Sequence, residues 1–278
     1  MYKQFKKIIT FSLLTTTSFF TNAQTQSVDY TKIDSLTFTK TRAELNKLST
    51  ANFEKRNFKK NEKTLPYRLL LPKNYNKTQK YPLVITFHNS SRVGNDNEKQ
   101  LEPLARIWLR DEIYNNYNCF VIAPQFAERS SNYQSDKDGI LVSKPSDDVQ
   151  LVLDLLAQIE DEYGNLDKSR IYLIGYSMGA STAQNLMSIA PKKFAAMVAV
   201  AAVPDFSNLK AFKKANILLI HGQKDTENPY NGSVNLFNKL KGNNNLTFKT
   251  FVELDHGNIN IPLLLSEEIP NWLFKFSK

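Results

Sequence analysis

Cysteine is almost absent from this sequence, which has a single one, Cys119, in 278 residues. One cysteine cannot form an internal disulfide, so the fold has to be stabilised by packing. Cys119 precedes an apolar run at residues 120–123, which indicates a buried thiol in a strand rather than a reactive group. Also missing are the cysteine and histidine spacings of zinc sites and the glycine loops that bind phosphates. The sequence therefore predicts neither a metal nor a cofactor.

Long apolar runs are scarce too, and the one that could enter a membrane lies near the start. Residues 1–7 are basic, residues 8–20 are apolar but interrupted by threonine, and Ala23 offers a small-residue cleavage site. The apolar stretch is short for a membrane span, and this layout predicts a secretory signal peptide at residues 1–23. We expect a periplasmic or secreted protein without a stable membrane anchor; an uncleaved amphipathic anchor is the alternative.

Acidic residues are fewer than basic ones, and the net charge is +9. Many of the lysines lie between residues 32 and 80, a distribution that would suit an acidic polymer as partner. A solvated surface that aids solubility explains the same pattern more simply. Nucleic acid is not among the predicted partners.

Apolar strand-like runs alternate with amphipathic helical patterns along most of the sequence. Predicted strands lie at residues 67–72, 81–87, 119–123, 170–174, 194–203, 217–220 and 246–254. Predicted helices lie at residues 99–114, from residue 146 onward, and at residues 181–190, 232–241 and 263–276. This alternation predicts the α/β class, with a mostly parallel sheet and helices on both faces.

The pentapeptide Gly-Tyr-Ser-Met-Gly at residues 175–179 stands between a predicted strand and a predicted helix. The pattern G-x-S-x-G in that context is typical of a nucleophile elbow, which exposes a serine hydroxyl at the edge of a parallel sheet. The serine backbone is strained there, and a side chain at either glycine would clash where strand and helix pass close together. We therefore predict that Ser177 is the nucleophile of a hydrolase.

A serine hydroxyl needs a base to take its proton, and histidine usually serves. Only His221 and His256 follow Ser177, and the chain order serine, acid, histidine favours His256 because Asp225 precedes it just beyond a strand. We predict His256 as the general base and Asp225 as the acid that orients it. Glu227 is the nearest rival acid, and a turn cap is the alternative role of Asp225.

An oxyanion hole needs two backbone N–H groups aimed at the developing alkoxide. The N–H of Met178, directly after the predicted nucleophile, should be one of them. The loop after the predicted strand at residues 81–87 should supply the other, from Ser90 or from Asn89. An ordinary polar turn is the alternative for this loop.

Together these motifs resemble the α/β-hydrolase superfamily, in particular its secreted feruloyl-esterase-like and polyhydroxybutyrate-depolymerase-like esterases. The resemblance is carried by residues 65–72, 81–88, 167–172, 175–179, 221–225 and 255–258. It implies a triad of Ser177, Asp225 and His256, in agreement with the assignment from the residues. The sequence departs from the superfamily pattern at Asn89 and Ser91, which replace two glycines; asparagine tolerates a left-handed backbone better than most residues.

The resemblance also implies the organisation of the chain. We expect a catalytic domain at residues 64–278 and an N-terminal extension, polar and rich in lysine, at residues 24–63. A polar loop at residues 125–144 should border the site.

The resemblance implies hydrolysis of a small-molecule or polysaccharide-linked carboxylic ester, with feruloyl or acetyl esters of plant polysaccharide as candidates. Tyr176, Phe126 and Tyr133 could then form an aromatic wall for a flat acyl group, with plain packing as the alternative. Two other functions are open on the same fold. One is a peptidase of the prolyl-oligopeptidase type, although that type carries a large propeller domain that this sequence does not contain. The other is a non-catalytic carbohydrate-binding protein.

Overall fold

The structure is a computed structural model that describes residues 24–278, so the predicted signal peptide at residues 1–23 lies outside it. The strands are β1 (Thr25–Asp29), β2 (Phe53–Lys60), β3 (Lys63–Leu70), β4 (Tyr81–Phe87), β5 (Phe120–Pro124), β6 (Ser131–Ser135), β7 (Leu141–Pro145), β8 (Leu166–Tyr176), β9 (Ala196–Val200), β10 (Asn216–Gly222) and β11 (Leu246–Phe251). The helices are α1 (Ser35–Asn46), α2 (Asp111–Asn116), α3 (Val149–Tyr163), α4 (Met178–Ile189), α5 (Leu209–Phe212), α6 (Tyr230–Lys239), α7 (Ile261–Leu264) and α8 (Glu268–Leu273).

Nine of the strands form one sheet in the order β1-β11-β10-β9-β8-β4-β5-β3-β2, and β6 pairs with β7 in a separate hairpin. In this spatial order, each strand in the series β1-β11-β10-β9-β8-β4-β5 is parallel to its neighbour. The last two strands are antiparallel: β3 to β5, and β2 to β3. The predicted α/β class with a mostly parallel sheet is therefore confirmed.

Both faces of the sheet are covered, which is why the central strands read as continuous apolar runs. All seven residues of β4 are buried. Because side chains alternate along a strand, Leu83 and Ile85 join the core on one face with residues of α3 and α4. Val84 joins the core on the other face, together with Trp108 and Leu263.

The predicted helix at residues 99–114 is wrong. That segment forms two short 3₁₀ turns, Lys99–Leu101 and Arg106–Leu109, before α2 begins. Pro103 lies between the two turns, and it has no backbone N–H for a helical hydrogen bond.

The predicted closing helix at residues 263–276 is likewise divided, into α7 and α8. In a continuous helix the N–H of residue 270 would donate to the carbonyl of Ser266, but residue 270 is a proline. The Ser266 carbonyl instead accepts a hydrogen bond of 2.8 Å from Nη1 of Arg110.

Residues 24–63, expected as an extension, supply both edges of the large sheet. β1 pairs with β11 at one edge, and β2 pairs with β3 at the other. The expected boundary between residues 63 and 64 falls inside the β2–β3 hairpin, in which Lys60 is paired with Lys63. The expected polar loop at residues 125–144 also contains regular structure, the β6–β7 hairpin.

The helices of residues 24–278 have at most 15 residues, whereas about 20 are needed to span a lipid bilayer. None of them has both the length and the apolar character that a membrane-spanning helix requires.

Candidate active site

Ser177 lies at a sharp turn between β8 and α4, with φ 57° and ψ −122°. A positive φ is uncommon outside glycine and costs backbone energy. The two flanking glycines make the turn possible. A Cβ atom on Gly175 would lie 2.2 Å from the carbonyl of Gly179, and one on Gly179 would lie 2.2 Å from the carbonyl oxygen of Phe87. The pentapeptide therefore has the geometry expected of a nucleophile elbow.

The structure brings Ser177, His256 and Asp225 together in a hydrogen-bonded row. Nε2 of His256 lies 2.9 Å from Oγ of Ser177, and Nδ1 of His256 lies 2.7 Å from Oδ2 of Asp225. All three residues are less than one tenth exposed. In this arrangement the imidazole can take the serine proton while its other nitrogen donates to the carboxylate.

These residues meet because each one follows a parallel strand. Ser177 comes directly after β8, Asp225 three residues after β10, and His256 five residues after β11. The carboxyl ends of parallel strands lie at one edge of a sheet, where binding sites of α/β folds form. Gly222 permits the close approach of two of these loops, since a Cβ atom there would lie 2.3 Å from the carbonyl oxygen of Leu254.

Four hydrogen bonds converge on the Asp225 carboxylate. Oδ1 accepts from the backbone N–H groups of Glu227 and Asn228, at 3.0 and 2.9 Å, so the carboxylate also caps its own turn. Oδ2 lies 3.2 Å from Nε2 of His221 as well as 2.7 Å from His256. Burial by itself raises the pKa of Asp225, but hydrogen bonds from His221 and His256 outweigh it and hold that pKa well below its usual range. The turn cap and the contact with His256 are thus made by the same side chain.

His221 is fully buried and supports the Asp225 loop. Its Nε2 lies 2.9 Å from the backbone oxygen of Asn228, and its Nδ1 lies 2.7 Å from Oγ of Ser233. Both ring nitrogens of His221 are engaged within this loop and its helix, so His221 supports Asp225 and leaves the contact with Ser177 to His256.

The rival acid, Glu227, lies on the other side of the imidazole. Its Oε2 is 3.9 Å from Nε2 of His256, the nitrogen that faces Ser177, and its side chain is 72% exposed. The nitrogen that has to be oriented, Nδ1, contacts Asp225 instead. The geometry therefore favours Asp225 over Glu227 as the orienting acid.

Two of the predicted oxyanion donors border the site. Met178 is the first residue of α4, where backbone N–H groups have no partner within the helix. Ser90 lines the cleft around Ser177. Asn89 precedes Ser90 with φ −77° and ψ 173°, an extended backbone, and Ser91 belongs to a 3₁₀ turn. The loop therefore does not use the left-handed geometry that glycine would allow, and the two departures from the superfamily pattern cause no backbone strain.

His88 fixes the loop that follows β4 through two hydrogen bonds. The sequence does not indicate this role. Its Nδ1 lies 2.8 Å from the backbone oxygen of Asn89, and its Nε2 accepts a hydrogen bond of 3.1 Å from the N–H of Phe126. Burial lowers the pKa of His88 to about 4. The neutral ring therefore donates from Nδ1 and ties the loop after β4 to the loop after β5.

A cleft of about 460 Å³ opens above Ser177 and is mostly polar. Its lining residues are Ser90, Arg129, Asn132, Tyr133, Ser177, Glu227, Asn228 and His256. Three of them, Arg129, Asn132 and Asn228, were not singled out in the sequence. Nδ2 of Asn228 lies 3.5 Å from Oγ of Ser177 and donates to the backbone oxygen of Ala201 at 2.7 Å.

The predicted aromatic wall is wrong for two of its three members. Tyr133 lines the cleft. Phe126 is 1% exposed and packs against the rings of Phe87 and His88. Tyr176 is 5% exposed and donates a hydrogen bond of 2.6 Å to the backbone oxygen of His256. Apolar packing and the anchoring of the His256 loop account for these two rings.

Within residues 24–278, no three histidine, cysteine, aspartate or glutamate side chains are grouped as a metal site would require.

Esterases are among the known proteins to which this chain is similar. A family profile described as phospholipase/carboxylesterase matches residues 127–262, just under half of the chain. No curated protein sequence matches significantly. The crystal structure of a thermostable esterase is similar at 28% sequence identity and a TM-score of 0.72. That match covers 82% of this chain and 63% of the esterase, so the chain spans less than two thirds of the length of that relative.

More distant solved structures share the fold. A ferulic acid esterase of Anaeromyces mucronatus, in complex with ferulic acid, is 14% identical with a TM-score of 0.57; the match covers 81% of this chain and 90% of that one. The acylaminoacyl peptidase of Pyrococcus horikoshii is 17% identical with a TM-score of 0.55, and the match covers 84% of this chain and 42% of the peptidase. At these identities the similarity concerns the fold alone.

Proposed function

We propose that this chain, a member of the α/β-hydrolase superfamily, is a serine esterase that hydrolyses carboxylic esters through a triad of Ser177, His256 and Asp225. The observation that supports this most directly is the row of two short hydrogen bonds from Ser177 through His256 to Asp225, open to a cleft. The matching profile for phospholipases and carboxylesterases and the similar thermostable esterase support the same class of reaction.

The positions of the Ser177, His256 and Asp225 side chains support the following reaction. His256 Nε2 takes the proton from Ser177 as Oγ attacks the ester carbonyl, and the imidazolium is stabilised by the ionised Asp225. The N–H groups of Met178 and Ser90 stabilise the negative oxygen of the tetrahedral intermediate. His256 then protonates the leaving alcohol, the bond from the carbonyl carbon to that oxygen breaks, and an acyl-enzyme remains. Water, deprotonated by His256, attacks the acyl-enzyme and restores Ser177.

The residues that line the cleft indicate which kind of acyl group it would accept. Tyr133 is the one aromatic residue among the residues that line it, and most of the others are polar or charged. A feruloyl group would find only one phenyl-type side chain to pack against in this cleft, whereas an acetyl group needs no aromatic pocket. Of the two candidate esters on plant polysaccharide, this lining favours acetyl over feruloyl.

Replacement of Ser177 by alanine tests the proposal. We expect Ser177→Ala to lower kcat for 4-nitrophenyl acetate on the order of a millionfold, because the nucleophile and the base act as a unit. Ser188→Ala is a matched control on the same helix, since the buried Ser188 hydroxyl has no hydrogen-bond partner within residues 24–278. Near-normal hydrolysis by purified Ser177→Ala would contradict the assignment.

Labelling by a fluorophosphonate probe separates this proposal from a non-catalytic carbohydrate-binding function. We expect the wild-type protein to be labelled at Ser177 and the alanine variant to stay unlabelled. A panel of 4-nitrophenyl acetate, methyl ferulate and peptide anilides then separates an esterase from a peptidase of the prolyl-oligopeptidase type. Anilide hydrolysis faster than ester hydrolysis would favour the peptidase.

We also propose that the mature protein acts in the periplasm or outside the cell, after cleavage near Ala23. The supporting observation is the basic, apolar and small-residue layout of residues 1–23. Mass spectrometry of the exported protein would show an N-terminus at or near Gln24, whereas an intact Met1 would contradict cleavage.

A further inference from the structure

Arginine pairing is nearly complete in this protein, with one exception. The chain has eight arginines, and all of them lie within residues 24–278. Six form salt bridges with carboxylates: Arg42, Arg56, Arg68, Arg92, Arg110 and Arg170. Arg106 donates to the backbone oxygens of Asn46 and Leu48. Arg129 is paired with neither a carboxylate nor a carbonyl of the described residues.

Arg129 is also the arginine that lines the cleft above Ser177. It is exposed, and its guanidinium carbon lies 4.7 Å from the centre of the Tyr133 ring. The Tyr133 hydroxyl is in turn 3.3 Å from Oγ of Ser181, a fully buried residue of α4. Stacking on an anchored ring restricts the guanidinium, and no carboxylate or carbonyl of the described residues occupies its hydrogen-bond donors. The donors therefore remain available to a group that enters the cleft.

The other unpaired charge of the cleft lies near the base. Glu227 is 3.9 Å from His256, and its carboxylate would repel an anion at that end. Arg129 follows β5, which lies beyond β4 from β8 in the sheet, whereas His256 follows β11 on the other side of β8. Strand order thus places the positive group and the base on opposite sides of Ser177.

We propose that Arg129 binds a carboxylate carried by the ester substrate. This inference rests on the proposed esterase function and deepens it, because it names the substrate class as anionic carboxylic esters. A planar guanidinium offers parallel N–H donors that match a carboxylate, and such charge-assisted hydrogen bonds are stronger than neutral ones. The carboxylate could belong to the acyl part of the ester or to its alcohol part, for example an acidic sugar unit.

Two pairs of esters distinguish these sources. Monomethyl glutarate and methyl pentanoate differ by a carboxylate on the acyl side. 4-Acetoxybenzoate and 4-methylphenyl acetate differ by a carboxylate on the alcohol side. Hydrolysis is followed by pH-stat titration at low ionic strength, and the readout is the ratio of kcat/KM for the anionic ester to kcat/KM for its neutral partner.

We expect Arg129→Met to lower this ratio on the order of tenfold in at least one pair, as one charge-assisted contact in an open cleft would. Arg129→Lys should give an intermediate ratio, because it keeps the charge and loses the planar fork. Lys137→Gln is the matched control: it removes one positive charge from the β6–β7 hairpin, and Lys137 is exposed, paired with Asp138 and outside the cleft lining. An equal loss for both members of both pairs, or the same change of ratio in Lys137→Gln, would overturn the proposal.

A binding measurement separates this inference from the esterase proposal. Glutarate and 4-hydroxybenzoate are titrated into Ser177→Ala by calorimetry, with and without the additional change Arg129→Met. We expect at least one carboxylate to bind on the order of tenfold more tightly when Arg129 is present. If the wild-type protein hydrolyses no ester, the esterase proposal fails and calorimetry still decides the role of Arg129. Affinities that do not depend on Arg129 would overturn the inference even in an active esterase.

Discussion

Two buried side chains in the loops around the site, Asp225 and His88, have opposite requirements for charge. Asp225 receives four hydrogen bonds, and its pKa is held low, so the carboxylate is ionised wherever the fold is stable. His88 accepts a hydrogen bond from the N–H of Phe126, which it can do only with an unprotonated Nε2. At neutral pH both groups have the charge that their hydrogen bonds need. Acidification therefore disturbs His88 long before Asp225.

We predict that His88 makes folding stability depend on pH. Its pKa is about 4 in the folded protein against 6.5 as the ordinary value. Between these two pH values the unfolded chain binds the proton and the folded chain does not, so the free energy of unfolding falls as the pH is lowered from 6.5 towards 4. The loss should total about 3 kcal/mol. Urea unfolding at a series of pH values measures it.

The control for this prediction is His88→Gln, which removes the titrating ring. The stability advantage of the wild-type protein over His88→Gln should shrink by about the same 3 kcal/mol as the pH falls to 4. A constant difference between the two proteins over this range would show that His88 is not the group responsible.

Helix α4 carries two sets of functional contacts. Its N-terminus presents Met178 next to Ser177, and its middle binds the β6–β7 hairpin. Thr182 and Asn185 are fully buried beneath the hairpin. Their side chains form hydrogen bonds with Ser130, just before β6, and with Ser131, its first residue. The helix that begins directly after Ser177 therefore also fixes one wall of the cleft.

We predict that Asn185→Ala loosens this wall. Asn185 accepts from Oγ of Ser131 at 2.8 Å and donates to Ser143 at 3.2 Å and to Asp205 at 2.9 Å. Loss of the amide leaves buried polar groups without partners, so the free energy of unfolding should fall by about 2–3 kcal/mol. KM for the ester should rise more than kcat falls, because the hairpin carries Tyr133. Denaturant unfolding and ester kinetics provide the two readouts.

Asn238→Ala is a suitable control for this experiment. Asn238 is an exposed residue of α6 whose side chain makes no hydrogen bond within the described part of the chain. Its replacement should change stability by less than about 0.5 kcal/mol and leave KM unaltered. A similar effect of both substitutions would contradict the role given to Asn185.

At the scale of the whole molecule, residues 24–63 supply both edge strands of the large sheet, β1 and β2. β2 is rich in lysine, with Lys55, Lys59 and Lys60 on an edge strand. Charged side chains on an edge discourage pairing with a second sheet. The positive charge between residues 32 and 80 thus has a structural explanation that needs no acidic partner.

The single thiol provides a test of this global packing. Cys119 is 3% exposed, and burial raises the pKa of its thiol. We predict that 5,5′-dithiobis(2-nitrobenzoate) labels the native protein at least about a thousandfold more slowly than it labels an exposed thiol, because the core has to open first. Labelling should become rapid in guanidinium chloride.

Ser207→Cys in the wild-type background provides the exposed reference, since Ser207 lies on the surface. One thiol of that variant should react at once and the second only after unfolding. Immediate reaction of Cys119 in the native wild-type protein would contradict its placement in the core.

The sequence pattern predicted a structural feature correctly where the physical cause of that feature lies within a few neighbouring residues. Apolar runs predicted the central strands, because a strand covered on both faces has few polar positions. The spacing of Gly175, Ser177 and Gly179 predicted the elbow, because the clash that excludes other residues arises within five positions. Chain order predicted which histidine and which acid meet Ser177. The proline effects at residues 103 and 270 are also local, because each proline lacks the backbone N–H that a continuous helix needs at its position.

Contacts between segments that are far apart in the chain could not be predicted from the sequence. Residues 24–63 read as a polar extension because edge strands bury only part of their surface, and pairing partners far along the chain decide that they join the sheet. Phe126 and Tyr176 read as binding residues because an aromatic side chain has the same pattern in a core and in a cleft. The sequence could not show that Arg129 has no salt-bridge partner among the described residues, since whether a charge has a partner depends on which segments fold beside it. Sequence determined the class of chemistry, and tertiary structure decided which side chains line the cleft above Ser177.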